Sequence, residues 1–185
     1  MAIHRQHINK GSFRGAMTGS NPTDRSKLGT KRHILTDKQG IPLSTIITAA
    51  NKHDIKAVTD VIDNSVIKQT FVSSKPKKGM KQRPSHNHLC LDRAYQSKRI
   101  EQEIIKRGYV PHIPNKRKRG QQSKTVSHQM NHQTAKNKRW VVERTNSWHN
   151  RFRKLFIRYE KKVENYLGLV QLSCSIIIYR KIILG

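Results

Sequence analysis

Acidic residues are scarce in this chain. Asp and Glu together number 11 among 185 residues, against 38 Lys and Arg, and the formal charge is +27. A protein so poor in anions repels itself until a polyanion neutralises it. Cysteine is scarcer still. Cys90 and Cys174 are too few for a disulfide framework, so a reduced, cytoplasmic setting is the expectation. No run of about 18 apolar residues occurs, and no membrane span is expected. The opening MAIHRQHINKG lacks the apolar core of a secretory leader. The length suits one domain, residues 1–185.

What is abundant is positive charge, and it points to DNA or RNA as the partner. No basic amphipathic anchor stands out, which disfavours a membrane surface. Two stretches, 72–87 and 114–133, are basic, rich in polar residues and without apolar period, and read as loops. The run Lys116, Arg117, Lys118 and Arg119 in the second is the simplest kind of phosphate contact. Lys31 and Arg32 are read as further DNA contacts. Each phosphate neutralised steepens the log–log salt dependence by about 0.9.

Periodicity supplies the elements. Residues 1–23 read as a weak opening strand and a loop. KRHILT (31–36) and IPLSTIITA (41–49) flank a four-residue turn with Asp37 and Gly40, the pattern of a hairpin. Asp54 to Ile67 reads as a helix with Asp54 as N-cap and Ile55, Val58, Ile62 and Val66 in one stripe. Leu89-Cys90-Leu91 is a short apolar run suited to a central strand. Ser97 to Arg107 reads as a helix with Ile100, Ile104 and Ile105 inward, and Tyr109 to Ile113 as a strand. Two helices, about 134–159 and 161–182, close the chain. In the first, Val141, Thr145, Trp148, Phe152, Leu155 and Tyr159 fall within about 40° of one line. The second has Tyr166, Val170, Cys174 and Ile177 in its stripe. Strands interleaved with helices predict an α/β or α+β layer fold.

So few carboxylates can be weighed singly. Asp92 ends the buried strand, where α/β folds place ligands. Glu143 lies about 200° from Val141 on its helix, away from the apolar stripe, on a side shared with Arg139, Asn146, Asn150 and Lys154. A carboxylate among basic and amide groups can ligate a metal while its neighbours hold phosphates. His86, His88 and Cys90 lack a second ligand cluster at finger-like spacing, so zinc is not expected there.

Three segments resemble insertion-sequence transposases with an Asp-Asp-Glu catalytic domain, of the insertion sequence 4 and insertion sequence 5 type. They are TGSNPTDRSKLGTKRH (18–33), CLDRAY (90–95) and RWVVERTNSWHNRFRKLFIRYEK (139–161). The resemblance runs from about Gly15 to the C-terminus. Arg139, Glu143, Asn150 and Arg151 match the family's Arg, catalytic Glu and following basic or amide position. Lys136 stands where many members have Tyr, and Asn150 where many have Lys.

The resemblance implies a ribonuclease H-like mixed sheet flanked by helices. It implies Asp92 and Glu143 as catalytic and metal-binding residues, with two Mg²⁺ or Mn²⁺ ions about 3.5–4 Å apart. It implies cleavage and strand transfer on terminal inverted repeats and target DNA, by a homo-oligomer assembled on DNA. Arg139, Asn146, Asn150, Arg151, Arg153 and Lys154 would face that DNA. The family's first catalytic Asp belongs on the first strand, near Arg5, Gln6 and His7, yet residues 1–23 hold no Asp or Glu. The expectation is therefore a domain truncated at its N-terminus, completed by an upstream-encoded fragment. The alternative is a non-catalytic DNA- or RNA-binding protein whose charge alone acts. A third reading is an RNA-processing nuclease of the same fold.

Overall fold

The computed structural model describes residues 1–4, 8–10, 15–22, 25–67, 87–114 and 139–184. Seven strands form one mixed sheet: β1 (Ala2–His4), β2 (Ile8–Lys10), β3 (Gly19–Ser20), β4 (Leu28–Thr36), β5 (Pro42–Ala49), β6 (Asn87–Leu91) and β7 (Tyr109–His112). The long strand β4 organises it. It pairs antiparallel with β5 on one side, and with β1, β2 and β3 as well. Beyond β1 the direction changes: β1 runs parallel to β6 (Ala2 opposite Cys90, Ile3 opposite Leu91), and β6 parallel to β7.

The hairpin expected at 31–49 is present. Asp37 Oδ1 accepts from the Gln39 and Ile41 amides at 2.8 Å, and Gly40 takes the left-handed φ of 87° that the turn requires. Pro42 opens β5 opposite Thr36, where the register shifts. Having no N–H, proline is tolerated at such a strand start.

Side-chain alternation along β4 divides the molecule into two layers. Leu35 and its neighbours on one face join Leu43, Val58, Val61, Ile62, Leu89, Tyr95, Ile100 and Ile104 in the larger core. The helices on this side are α1 (Val58–Asp63), preceded by a 3-10 turn at Asp54–Ala57, and α2 (Lys98–Lys106). The N-cap of that turn is His53, whose Nδ1 accepts from the Ile55 amide at 3.3 Å, rather than Asp54. The element stops short of Ile67, and Val66 and Ile67 are exposed. Ile105 is likewise exposed, so α2 turns only Ile100 and Ile104 inward. Gly108, with φ 83°, closes α2.

On the opposite face lie α3 (Arg139–Asn150), α4 (Arg153–Phe156) and α5 (Val163–Ile182). Ile47, Leu155, Tyr166 and Val170 form the smaller core there. The single helix expected to reach Tyr159 breaks at Arg151–Phe152. Phe152 adopts an extended backbone, and its amide bonds to the His149 carbonyl. The break turns the chain so that the buried Arg158 reaches the sheet. Arg158 Nη1 donates to Thr30 Oγ1 at 2.8 Å, while its other nitrogens donate to the Glu160 and Lys161 carbonyls. Periodicity cannot register such an anchor, because the residues on both sides of the break keep helical spacing.

Candidate nucleic-acid interface and carboxylate pair

Asp92 follows β6 directly and is half-buried, its carbonyl accepting from the Tyr95 amide at 3.0 Å. Glu143 sits on α3 and is exposed. The element between them is β1. Its sheet neighbour is β6, which delivers Asp92, and α3, which carries Glu143, packs against β1 and β4. Among the described residues no three His, Cys, Asp or Glu side chains gather to hold a metal ion. The position near Arg5, Gln6 and His7, expected for the first catalytic Asp, lies outside the described residues. The carboxylates in view therefore do not complete a two-metal site.

The expected DNA contacts divide into three groups. Arg151, Arg153 and Lys154 are exposed around the break between α3 and α4. Arg139 begins α3, and the run 116–119 lies outside the described residues. Lys31 and Arg32, by contrast, are buried at 5 % and 0 % exposure, so the surface role expected of them is corrected. Lys31 Nζ donates to Asp54 Oδ1 at 2.9 Å and to the Lys52 carbonyl at 2.8 Å. That contact occupies the carboxylate which sequence suggested as a helix cap. Arg32 Nη2 donates to Asn150 Oδ1 at 2.7 Å. Asn150 thus takes part in an internal contact, and Asn146 is buried as well.

The inward side of α3 is polar. Val141 and Val142 are buried, but so are Thr145, Asn146 and His149. Thr145 Oγ1 donates to the Gly40 carbonyl at 2.7 Å, docking the β4–β5 turn on the helix. His149 Nδ1 lies 2.7 Å from Ser173 Oγ on α5. Burial pushes the His149 imidazole down to about 3, and the nearby Arg32 guanidinium adds to the effect. Burial likewise raises the Cys174 thiol to about 12 against a counter-pull from Arg32. On the other layer, burial depresses His33 to about 4, with its Nε2 2.8 Å from Thr48 Oγ1.

Sequence reading missed a surface feature of α3. Arg144 lies between the two indoles, with Cζ 4.5 Å from the Trp140 ring centre and 4.9 Å from that of Trp148. Lys181 Nζ approaches Trp148 from α5 at 5.3 Å. The spacing 140, 144, 148 was visible, but Trp148 also fits the apolar stripe, and that reading hid the ladder. At the far edge of the sheet, His88 Nδ1 and His112 Nε2 are 2.7 Å apart. Register brought His112 beside His88, where spacing alone offered no partner.

A mixed sheet covered on both faces by helices, with acids at a strand end and on a helix beside one strand, defines an α/β protein. The family model described as "Transposase DDE domain" matches residues 3–178. A protein of Burkholderia cepacia named as a transposase for insertion sequence element IS402 is 34 % identical over 163 residues. The aligned region covers 86 % of this chain and 67 % of that relative. No solved structure matches. The chain belongs to the DDE-domain transposases of insertion sequences. No helix among the described residues is long and apolar enough to cross a membrane.

Proposed function

We propose that this chain is the catalytic-domain portion of a DNA transposase. It binds the terminal inverted repeats of its element and target DNA, and acts as a homo-oligomer on that DNA. In this reading Asp92 and Glu143 are catalytic carboxylates. The observation that carries it is the arrangement around β1: Asp92 ends the parallel neighbour of that strand, and α3 bearing Glu143 packs on it. The fold reading is ribonuclease H-like. It is supported by a strand order in which three antiparallel strands (β5, β4, β1) are followed by two more parallel to β1.

Asp92 and Glu143 would supply oxygen ligands to Mg²⁺ or Mn²⁺, which in such sites activates the attacking oxygen and stabilises the leaving one. Two carboxylates fall short of the family's three. Strand cleavage and transfer therefore require a further acid, one that residues 1–23 do not contain. Arg139, Arg151, Arg153, Lys154 and the run 116–119 are the proposed phosphate contacts.

The test is cleavage of terminal inverted-repeat DNA with Mg²⁺ or Mn²⁺, with and without a supplied segment carrying an Asp-bearing strand. Cleavage is expected with the segment, and its loss in Asp92→Asn and Glu143→Gln. Full activity in either variant would sink the assignment of these acids. The lack of an Asp or Glu on β1 and in the residues up to 23 favours a second reading, a non-catalytic DNA- or RNA-binding protein. Metal-independent, salt-sensitive binding with no cleavage under any condition would favour it.

A further inference from the structure

The aromatic and cationic side chains of α3 and α5 form a site that phosphate contacts alone do not explain. The chain contains two tryptophans, and both belong to it. Trp140, Arg144 and Trp148 follow one another at four-residue spacing, on one side of the helix. The Arg144 guanidinium is held between the indoles and donates through Nη2 to the Gln39 carbonyl of the β4–β5 turn. Its Nε is buried with no partner among the described residues. Trp140 is 52 % exposed. A large indole left half in water, stiffened by a cation on a well-anchored turn, is a preformed stacking surface.

Two hollows flank this ladder and share Lys181. One, of about 410 Å³, is bounded by Lys38, Gln39, Trp140 and Arg144. The other, of about 420 Å³, is bounded by Trp148, Arg151, Phe152 and Arg180 among others. Both volumes fall in the range of sites for small organic groups. Among the described residues no acid lines either one, and Lys38, Arg144, Arg151, Arg180 and Lys181 all border them.

We propose that Trp140, Arg144, Trp148 and Lys181 receive unpaired nucleotides of a DNA strand, bases against the indoles and phosphates on the flanking cations. The chemistry selects unpaired over duplex DNA. In a duplex the faces of the bases are already stacked on each other, and the phosphates and groove edges remain for cations. In a single strand the faces are free, and stacking on an aromatic side chain is sequence-tolerant. The proposal rests on the reading of this chain as a DNA-binding transposase domain and names the form of DNA that this surface takes.

Because the ladder holds every tryptophan, intrinsic tryptophan fluorescence reports on it alone. The full chain is titrated at low salt with a short single-stranded DNA oligonucleotide and with a blunt duplex of the same sequence. Quenching is expected with the single strand and not with the blunt duplex. Binding is also followed by anisotropy of labelled DNA. Trp140→Ala should lower single-strand affinity about tenfold and leave duplex affinity unchanged, while Trp140→Phe should restore most of the loss. Equal quenching by both DNA forms, or a Trp140→Ala chain that binds the single strand as wild type does, overturns the ladder while duplex binding keeps the transposase reading. Failure to bind either form overturns both.

Discussion

Arg32 and Asn150, 118 residues apart, meet inside the protein through a hydrogen bond of 2.7 Å from Nη2 to Oδ1. The contact ties the middle of β4 to the last residue of α3, the helix that carries Glu143. It also places a guanidinium with 0 % exposure against Tyr166, Cys174 and His149, and its Nε and Nη1 have no partner among the described residues. Burial without a facing carboxylate lowers the Arg32 pKa from its ordinary value.

A buried cation that loses its acceptor is costly, whereas an apolar replacement of similar shape often is not. Asn150→Ala is therefore expected to destabilise the fold by about 1–3 kcal/mol. Arg32→Met should be neutral or stabilising. Urea denaturation of the two variants checks this. A strongly destabilised Arg32→Met would show that the buried charge is itself required.

The pair Lys31–Asp54 behaves differently, because both partners are charged and both side chains are 7 % exposed. Removing one leaves the other buried without its counter-charge. Asp54→Ala should cost about 3–5 kcal/mol, read as a lower denaturation midpoint. A double replacement of Lys31 and Asp54 by apolar residues should recover much of it.

Gly40 has φ 87°, and a Cβ there would lie 2.9 Å from Thr145 Oγ1. Gly40→Ala is expected to cost about 1–2 kcal/mol from the left-handed backbone alone. The turn it distorts also holds Arg144, so the variant should show altered tryptophan emission besides a lower melting temperature. Unchanged emission would separate the turn from the indole ladder.

Buried His149 and His33 predict acid sensitivity. Their folded pKa values, about 3 and about 4, lie below the unfolded value of 6.5. Above that value both states are neutral and neither residue affects folding. As pH falls below it the unfolded chain takes up protons first, so stability drops until the folded pKa values are reached. The melting temperature should decline between about pH 6.5 and 4, and His149→Gln should flatten the decline. A flat profile in the parent protein would contradict the burial of these rings.

DNA binding through exposed cations carries a salt signature. Replacing Arg151 or Lys154 by Ala, if each meets one phosphate, should reduce the log–log slope of affinity against salt by about 0.9. Replacing the buried Lys31 should not alter that slope in chains that remain folded.

Much of the architecture was legible because local pattern and burial agree. The hairpin of β4 and β5 follows from two β-rich runs around a turn, the strand ending at Asp92 from a short apolar run, and α5 with its Tyr166, Val170 and Ile177 stripe from a period of 3.6 residues. The family was legible too, since its motifs are short and ordered. The +27 charge and the absence of acids in residues 1–23 are properties of composition and need no coordinates. Tertiary structure alone decided which cations stay wet. Lys31 and Arg32 look like a basic pair on a line of text, yet alternation along β4 sends one to Asp54 and the other to Asn150. It also decided that α3 stops at Asn150, where the chain turns and Arg158 comes to reach Thr30. Long-range contacts of this kind leave no periodic trace, because they join residues that are neighbours only after the sheet and helices have packed.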